Sequence, residues 1–270
     1  YNGGLGGTGE GVEVDVAVDP VEGATLLAEG RPNAIAVIAV AERGSMWNPG
    51  NSFYINKIVV GQEARQAIDI TKSPSTNLVN IADALGRNVE DLTVFVLDKP
   101  RHDSLIEEVR QTGARIMLHS DGDVMGALMA AIPGTGIDVL MGVGGTPEAV
   151  IAAAAVKALG GGMQAVRAPQ RVEEKRQLRK DKVKINEVLH LDDLIQSDNT
   201  FFAATGITES TFLEGVHFDR RGGVTTESIV IRSLTGSIRY IKGIHQLNRK
   251  NLVGGNVGTT PAHVAMDIIL

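Results

Sequence analysis

The sequence predicts an α/β protein with a largely parallel sheet in its central region. Between residues 75 and 159, short apolar segments of strand length alternate with longer segments of helical periodicity. This alternation is typical of parallel strands that are joined by right-handed crossovers through helices. Hydrophobic residues make up 43% of the 270 residues and aromatic residues only 4%, which suits a core of Val, Ile, Leu and Ala. The length allows one large domain or two smaller halves.

Three strands are predicted at the start of the chain. Residues 12–18 alternate, with valines on one face and acidic residues on the other, which is typical of a half-buried strand. We expect Pro20 to end this strand, because proline cannot donate a ladder hydrogen bond. The apolar segments 33–40 and 54–60 are predicted as the second and third strands.

The remaining elements follow from periodicity and turn residues. Helices are predicted at 75–86, 102–112, 122–132 and 146–159, and strands at 92–98, 115–118 and 137–141. Hairpin-like strands are predicted at 200–204, 225–233 and 236–242, with Thr235 and Gly236 as the turn. The mixed-charge segment 171–184 is interpreted as a solvated helix face, since acids are interspersed among its bases. The Gly- and Thr-rich segment 253–262 is interpreted as a tail or arm.

Composition excludes several classes of protein. The net charge of −6 argues against a nucleic-acid partner, whose phosphates require a basic face. The absence of cysteine excludes disulfides, thiolate metal sites and cysteine nucleophiles, and it fits a cytoplasmic protein. We find neither a signal-peptide pattern nor an apolar run long enough for a membrane span, and so expect no membrane partner. Because the chain opens at Tyr1, we expect that it lacks its natural beginning.

The most informative motif is DPVEGAT at 19–25, which combines two carboxylates with a proline and a glycine. Asp19 and Glu22 lie three residues apart at the end of a strand and can point into one cleft. Carboxylate oxygens of this kind are ligands for Mg²⁺ or Mn²⁺, and a substrate phosphate often completes the shell. Gly23 would allow the backbone to approach that phosphate. The alternative is an ordinary turn with solvated acids.

Three further motifs follow predicted strands. Lys99 and Arg101 come directly before a helix and can hold an anion, whereas His102 is expected to pack against that helix. Asp121 and Asp123 flank a glycine at another helix start, where one acid can be a helix cap and the pair can accept sugar hydroxyls. His119, just before them, is expected to have a packing or capping role.

The run GVGGTPE at 142–148 is the fourth motif. Thr146 is predicted to cap the next helix, with Pro147 at its first position. Glu148 then lies in the first turn, where the helix dipole alone would favour an acid. In open α/β sheets, ligands bind at the carboxyl edge of the strands, so the four motifs together predict one site there. The glycines at 4, 6 and 9 are not a dinucleotide fingerprint, because no strand precedes them.

These motifs closely resemble the class II fructose-1,6-bisphosphatases. The matching segments are DPVEG at 19–23, SFYINKIVVG at 52–61, LDKPRHDSLI at 97–106, SDGDV at 120–124 and GGTPEAVIAAAA at 144–155. The similarity continues through FFAATGIT at 201–208 and GGVTTESIVIRS at 222–233. It implies a layered α/β/α/β/α sugar-phosphatase fold with its N-terminal portion missing. It also implies hydrolysis of the 1-phosphate of fructose 1,6-bisphosphate with Mn²⁺ or Mg²⁺, by a cytoplasmic homotetramer.

The resemblance also implies roles for individual residues. The metal carboxylates would be Asp19, Glu22 and Glu148, and the catalytic position would be Ala24 together with Asp19 and Glu22. The substrate contacts would be Glu22, Gly23, Ala24, Tyr54, Lys99, Pro100, Arg101, Asp121, Gly122, Asp123 and Gly145. By the same resemblance, we interpret 1–72 as the remainder of an N-terminal metal-binding sheet half. Residues 73–252 are interpreted as the substrate-binding half, and 253–270 as a C-terminal tail.

Two departures from the family pattern bear on activity. Family members carry further N-terminal residues with additional metal ligands, and they have a threonine where this chain has Ala24. That hydroxyl is thought to help deliver the attacking water, so its loss predicts slow turnover. The alternatives are hydrolysis of sedoheptulose 1,7-bisphosphate, alone or in a dual activity, and of an inositol phosphate. A sugar-phosphate binding protein without catalytic activity is an alternative of another class.

Overall fold

The structure is a computed structural model that describes residues 4, 6, 7, 9–220 and 222–246. Its strands are β1 Val14–Glu22, β2 Ile35–Glu42, β3 Tyr54–Val60, β4 Thr93–Leu97, β5 Arg115–His119, β6 Val139–Gly145, β7 Gly162–Arg167, β8 Val188–His190, β9 Thr200–Gly206, β10 His217–Phe218, β11 Gly223–Arg232 and β12 Ser237–Gln246. Its helices are α1 Ala24–Ala28, α2 Pro74–Leu85, α3 Asp103–Gln111, α4 Asp123–Ala131, α5 Thr146–Ala158, α6 Val172–Lys180 and α7 Leu191–Leu194. The mixed α/β class is confirmed.

The strands form two sheets. Sheet 1 has the order β1-β2-β9-β11-β10, with β12 also paired to β11, and all its pairs are antiparallel. Sheet 2 has the order β5-β4-β6-β3-β7-β8. Only β5, β4 and β6 are mutually parallel there, while β3, β7 and β8 run antiparallel to their neighbours. The expectation of parallel strands in the central region is confirmed for β4, β5 and β6, and the other half of sheet 2, which the alternating pattern does not cover, is antiparallel.

Two helices lie between the sheets. Helix α5 contacts β1, β2 and β9 of sheet 1 and also β3, β6 and β7 of sheet 2, and α4 packs beside it. The run of small residues 152–155 in α5 is completely buried, which allows backbone layers to approach closely on both sides. Helices α2 and α3 pack on the other face of sheet 2, in a second apolar cluster. The described residues thus form β/α/β/α layers, and an outer helical layer on sheet 1 stays a prediction.

The first strand differs from its prediction in two ways. Its valines face outward: Val16 and Val18 are 53% and 59% exposed. Alternation identifies two faces of a strand but not which of them meets the core, and here the face that carries Ala17 packs inward. Strand β1 also continues past Pro20 to Glu22, because an irregularity in register between Asp19 and Glu22 removes the proline from the ladder.

The division at residue 72 does not coincide with the sheets. Strand β3 pairs within sheet 2, whereas β9, β11 and β12 join the N-terminal strands in sheet 1. The predicted tail at 253–270 lies outside the described residues. None of the helices in the described part of the chain has the length and apolar character that crossing a membrane requires.

Candidate active site

Four carboxylates lie near one another where sheet 1 meets the first turns of α4 and α5. Glu22 ends β1, Asp123 begins α4, Glu148 lies in the first turn of α5, and Asp19 precedes the bulge in β1. Burial, and then the neighbouring charge of Asp123, hold the pKa of Glu22 well above its ordinary value, and Glu148 and Asp19 add to the effect. Burial likewise raises the pKa of Glu148. The structure therefore brings the three predicted metal carboxylates into electrostatic contact.

The side chain of Glu22 is held by the start of α4. Its Oε1 accepts a hydrogen bond of 2.9 Å from the backbone N–H of Val124. This N–H is one of the donors that a helix leaves without an internal partner in its first turn. The hydrogen bond favours the charged form of Glu22 and opposes the effect of burial on its pKa. A carboxylate of sheet 1 is thus oriented by a helix that lies between the sheets.

The cluster contains one buried cation that the sequence analysis missed. Lys57 on β3 is only 1% exposed, and its ammonium forms an ion pair with the buried carboxylate of Asp123. The positive charge of Lys57 also lowers the pKa of Glu148 against the raising effect of burial. A lysine in the middle of the apolar segment YINKIVV was the signal in the sequence, because an unpaired charge is costly to bury.

Glycines on β6 make room for these side chains. A Cβ at Gly144 would overlap the carboxylate of Asp123 and lie 2.6 Å from the ammonium of Lys57. A Cβ at Gly145 would overlap the carboxylate of Glu148. A left-handed backbone conformation does not explain why glycine occurs at these two positions, since the φ of Gly145, for example, is −70°. The glycine run is therefore explained by the space that buried charges occupy.

The predicted phosphate loop has the expected open backbone. Gly23 has a φ of 83° and precedes α1, and Gly122 has a φ of 85° and approaches it closely. The carboxylate of Asp121 accepts a hydrogen bond of 3.1 Å from the backbone N–H of Thr25. Asp121 thus occupies a backbone donor two residues after Gly23, where the backbone is predicted to approach a phosphate. Ala24 is the exposed first residue of α1, next to this bond.

The basic motif lies at the carboxyl end of β4. Arg101 donates two hydrogen bonds to the carbonyl of Val143, from Nε at 3.0 Å and Nη2 at 2.9 Å. Its guanidinium also lies 5.7 Å from the ring centroid of Tyr54. The third nitrogen, Nη1, makes no hydrogen bond to any residue that the structure describes. Among the described residues, no hydrogen bond or ion pair joins Lys99 or Pro100 to the acidic cluster.

The two histidines of these motifs are structural, as expected. The N–H of Val143 donates to Nε2 of His102 at 2.7 Å, so the ring proton is on Nδ1, which donates to the carbonyl of Leu97 at 2.7 Å. Burial lowers the pKa of His102, which keeps it neutral. His119 stacks on Phe95 with ring centroids 4.7 Å apart.

Two further details differ from the sequence analysis. Helix α5 is capped by Gly145, so the predicted cap Thr146 is its first helical residue, and the hydroxyl of Thr146 is buried without a hydrogen bond.

Glu174 is buried in the segment interpreted as solvated, where its carboxylate accepts from the backbone N–H groups of Phe53 and Tyr54 at 2.7 and 3.0 Å. Periodicity cannot identify a single buried acid in a charged helix.

The acidic cluster fits a hard cation in its donor chemistry. Glu148 Oε2 and Asp123 Oδ1 are buried oxygens without a hydrogen-bond partner. Within residues 4–246, as far as they are described, no three Asp, Glu or His side chains converge tightly enough to hold a metal ion as they stand. The predicted metal carboxylates Asp19, Glu22 and Glu148 would therefore have to rotate toward a cation, and doing so would satisfy the unpaired oxygen of Glu148.

Comparisons with known proteins identify one family. The family described as bacterial fructose-1,6-bisphosphatase, glpX-encoded, matches residues 1–245. Fructose-1,6-bisphosphatase 1 class 2 of Escherichia coli K12 is 41% identical over 259 residues, which cover 91% of this chain and 76% of that protein. The fructose-1,6-bisphosphatases class 2 of Escherichia coli O6:H1 and Shigella flexneri show the same identity and coverage.

We predict that Glu22→Gln stabilises the metal-free protein in a pH-dependent way. Between the ordinary pKa of a glutamate and the raised pKa of Glu22, the unfolded chain releases a proton that the folded chain retains, so stability falls as pH rises. Glutamine is neutral throughout and can still accept from Val124. In chelator, its thermal midpoint is expected to exceed that of the parent by about 3 °C or more near pH 8 and by little near pH 5.

The matched control is Glu173→Gln, which removes an acid that is 77% exposed. Its midpoint is expected to follow that of the parent at both pH values. If the thermal midpoint of Glu22→Gln were equal to or below that of the parent near pH 8, ionised Glu22 would not destabilise the metal-free protein, which would contradict this prediction.

Proposed function

We propose that this chain, which belongs to the glpX-encoded bacterial fructose-1,6-bisphosphatase family, hydrolyses the 1-phosphate of fructose 1,6-bisphosphate to give fructose 6-phosphate and inorganic phosphate. The family match spans residues 1–245 and so includes every predicted site residue. The observation that carries the proposal is the buried acidic cluster beside the glycine backbone of residues 23 and 122, since a phosphatase of this kind must hold both metal and phosphate. Sedoheptulose bisphosphate is not favoured, because the named relatives are fructose-1,6-bisphosphatases.

The metal is proposed to be Mn²⁺ or Mg²⁺, held by Asp19, Glu22 and Glu148. Carboxylates without sulfur ligands select hard cations. Such a cation, when bound, supplies charge stabilisation to the phosphoryl group and acidity to bound water. The contribution of the chain is to concentrate negative charge in a buried position. That charge is strained without the cation, as the raised pKa of Glu22 and the raised pKa of Glu148 indicate.

The substrate is proposed to lie between the predicted phosphate loop at Gly23 and the basic motif that contains Lys99 and Arg101. The backbone of Gly23, Ala24 and Thr25 faces the 1-phosphate, and Asp121 must release the N–H of Thr25 as that phosphate binds. The contacts to the sugar and the second phosphate are proposed to come from Tyr54, Lys99, Pro100, Arg101, Gly122, Asp123 and Gly145.

We further propose that the protein works as a cytoplasmic homotetramer and takes no nucleic-acid or membrane partner. The absence of cysteine and the net charge of −6 support the compartment and the lack of a nucleic-acid partner.

The function is tested by following the phosphates of fructose 1,6-bisphosphate by ³¹P NMR in the presence of Mg²⁺, which, unlike Mn²⁺, is diamagnetic and leaves the phosphate signals sharp. The expected result is loss of the 1-phosphate signal with equal gain of inorganic phosphate, while the 6-phosphate signal persists. Excess chelator is expected to stop the reaction, and Glu148→Gln to slow it. Sedoheptulose 1,7-bisphosphate in a parallel sample tests the other substrate. Binding of fructose 1,6-bisphosphate without phosphate release would instead select the non-catalytic binding protein.

We predict that Arg101→Ala raises the KM for fructose 1,6-bisphosphate about tenfold or more, with a smaller change in kcat. A charge-assisted contact to phosphate contributes roughly 1.5 to 3 kcal/mol, and this one is made in the ground state as well as the transition state. Arg101→Lys keeps the charge but loses the paired hydrogen bonds to Val143. Its KM is expected to lie between that of the parent and that of Arg101→Ala. The exposed Arg110 of α3 provides the control Arg110→Ala. A KM for Arg101→Ala within twofold of the parent would show that Arg101 does not bind the substrate and only donates hydrogen bonds to Val143 of β6.

We predict that Ala24→Thr raises kcat at least about tenfold, with little change in KM, because positioned acid–base groups contribute roughly 10² to 10⁴ in rate. The resemblance places a hydroxyl here, and position 24 is exposed at the start of α1, so threonine fits without repacking. Ala24→Val has nearly the same shape without the hydroxyl and is expected to give no gain. If valine and threonine gave the same kcat, the hydroxyl would have no role in delivering water.

A further inference from the structure

Lys57 is the most completely buried charged side chain beside the proposed metal site. It lies on β3 in the middle of sheet 2, between β6 and β7, and is 1% exposed. A buried ammonium persists only where a partner offsets the loss of its hydration. The partner is Asp123, whose carboxylate is also buried. The pair therefore joins the centre of sheet 2 to the first residue of α4.

The same turn of α4 orients Glu22. The backbone N–H of Val124, the residue after Asp123, donates to Glu22 Oε1 at 2.9 Å. A continuous series of contacts thus runs from Lys57 through Asp123 and Val124 to Glu22, from one sheet to the other. Among the described contacts of Glu22, this hydrogen bond is the one that sets the direction of its carboxylate.

Strand β6 is shaped around the same pair. A Cβ at Gly144 would overlap the carboxylate of Asp123 and come within 2.6 Å of the Lys57 ammonium. The absence of a side chain at 144 therefore lets Asp123 reach Lys57 across β6. The other carboxylate oxygen of Asp123, Oδ1, is buried without a partner and is not needed for the ion pair. Three elements, β3, β6 and α4, are thus built around one contact.

We propose that Lys57 is a positioning residue for the metal site: its ion pair with Asp123 fixes the first turn of α4, and this turn holds Glu22 in the direction in which it binds a divalent cation. The proposal rests on the proposed function, in which Glu22 is a metal ligand. Lys57 itself touches neither metal nor substrate. Its effect reaches the site through Asp123 and the N–H of Val124.

The alternative role for Lys57 is simple charge compensation, and the two roles predict opposite signs. If Lys57 only neutralised the acids, its removal would delete a positive charge beside the site and tighten cation binding. If it positions Glu22, its removal frees the start of α4 and weakens cation binding despite the more favourable charge. The direction of the change in Mn²⁺ affinity therefore separates positioning from electrostatics.

The test is calorimetric titration of Mn²⁺ into the purified chain and two variants. Lys57→Met removes the charge and keeps an unbranched side chain. Lys57→Met combined with Asp123→Asn removes both charges of the ion pair, so the local net charge is unchanged and Asp123 is not left as an unpaired buried acid. We expect both variants to bind Mn²⁺ about tenfold more weakly than the parent, or worse. The double variant gives the answer if the single variant does not fold.

The control is Lys157→Met, at the other end of α5. Lys157 is 11% exposed, pairs with Asp192, and donates to the carbonyl of Ile195 at 2.8 Å. Its loss removes another largely buried lysine and is expected to lower the thermal midpoint without changing Mn²⁺ affinity. This control separates general destabilisation from loss of positioning.

Hydrogen exchange of residues 120–131 in the metal-free protein provides a second readout. The double variant is expected to exchange faster there than the parent, while Lys157→Met is expected to match the parent. Mn²⁺ affinity in the double variant equal to or tighter than that of the parent would overturn the proposal. A parent that binds no Mn²⁺ would remove the ligand role of Glu22, and with it this proposal. A parent that binds Mn²⁺ and releases no phosphate would contradict the proposed function alone.

Discussion

The cost of burying acidic side chains next to one another is the constraint around which this molecule is arranged. Burial is the main reason that the pKa of Glu22 and that of Glu148 are raised, and repulsion from Asp123 and Asp19 adds to it. The chain relieves part of this cost with the ammonium of Lys57 and the first-turn N–H of α4. Unpaired oxygens on Asp123 and Glu148 remain. A divalent cation held by Asp19, Glu22 and Glu148 would satisfy the Glu148 oxygen, so the free energy that the fold spends on burying acids becomes affinity for metal.

The surrounding architecture follows from the need to bring these acids together from two sheets. Glu22 belongs to sheet 1 and Lys57 to sheet 2, and α4 and α5 lie between them. The small residues of α5 allow both sheets to approach closely, and the glycines of β6 leave space for carboxylates. The irregularity in β1 carries the chain past Pro20 and directs Glu22 inward. Local sequence features that look unrelated therefore serve one arrangement.

Much of this could be predicted from the sequence, because the motifs mark the ends of strands. The third strand was predicted at its observed bounds, 54–60, and helices α2 to α5 lie within two residues of their predictions. The strands β4, β5 and β6 are parallel, so their carboxyl ends meet at one edge and bring three motifs together there. What was predictable was local: periodicity, turn residues and the chemistry of strand ends.

The remainder depends on contacts between distant segments, which periodicity does not encode. The pairing of β3 with β6 and β7, and of β9 with β2, could not be deduced from strand patterns. The alternation in β1 was recognised, but not that its valine face would be the exposed one. Lys57 and Glu174 are charged residues in segments whose patterns indicated an apolar strand and a solvated helix. Their buried roles become visible only with their partners, Asp123 and the backbone of residues 53 and 54.

If strained carboxylates are held ready for a divalent cation, metal binding must displace protons from them, and that proton release can be measured. Mn²⁺ would be titrated into the metal-free chain by calorimetry, in buffers of different ionisation enthalpy, from about pH 6 to about pH 8. Because burial raises the pKa of Glu22 well above its ordinary value and also raises that of Glu148, protons compete with Mn²⁺ for these two carboxylates, and they compete more strongly at lower pH. We predict proton release with each Mn²⁺ bound, greatest near pH 6 and declining as pH rises. Binding without proton release throughout this range, or no binding, would contradict it.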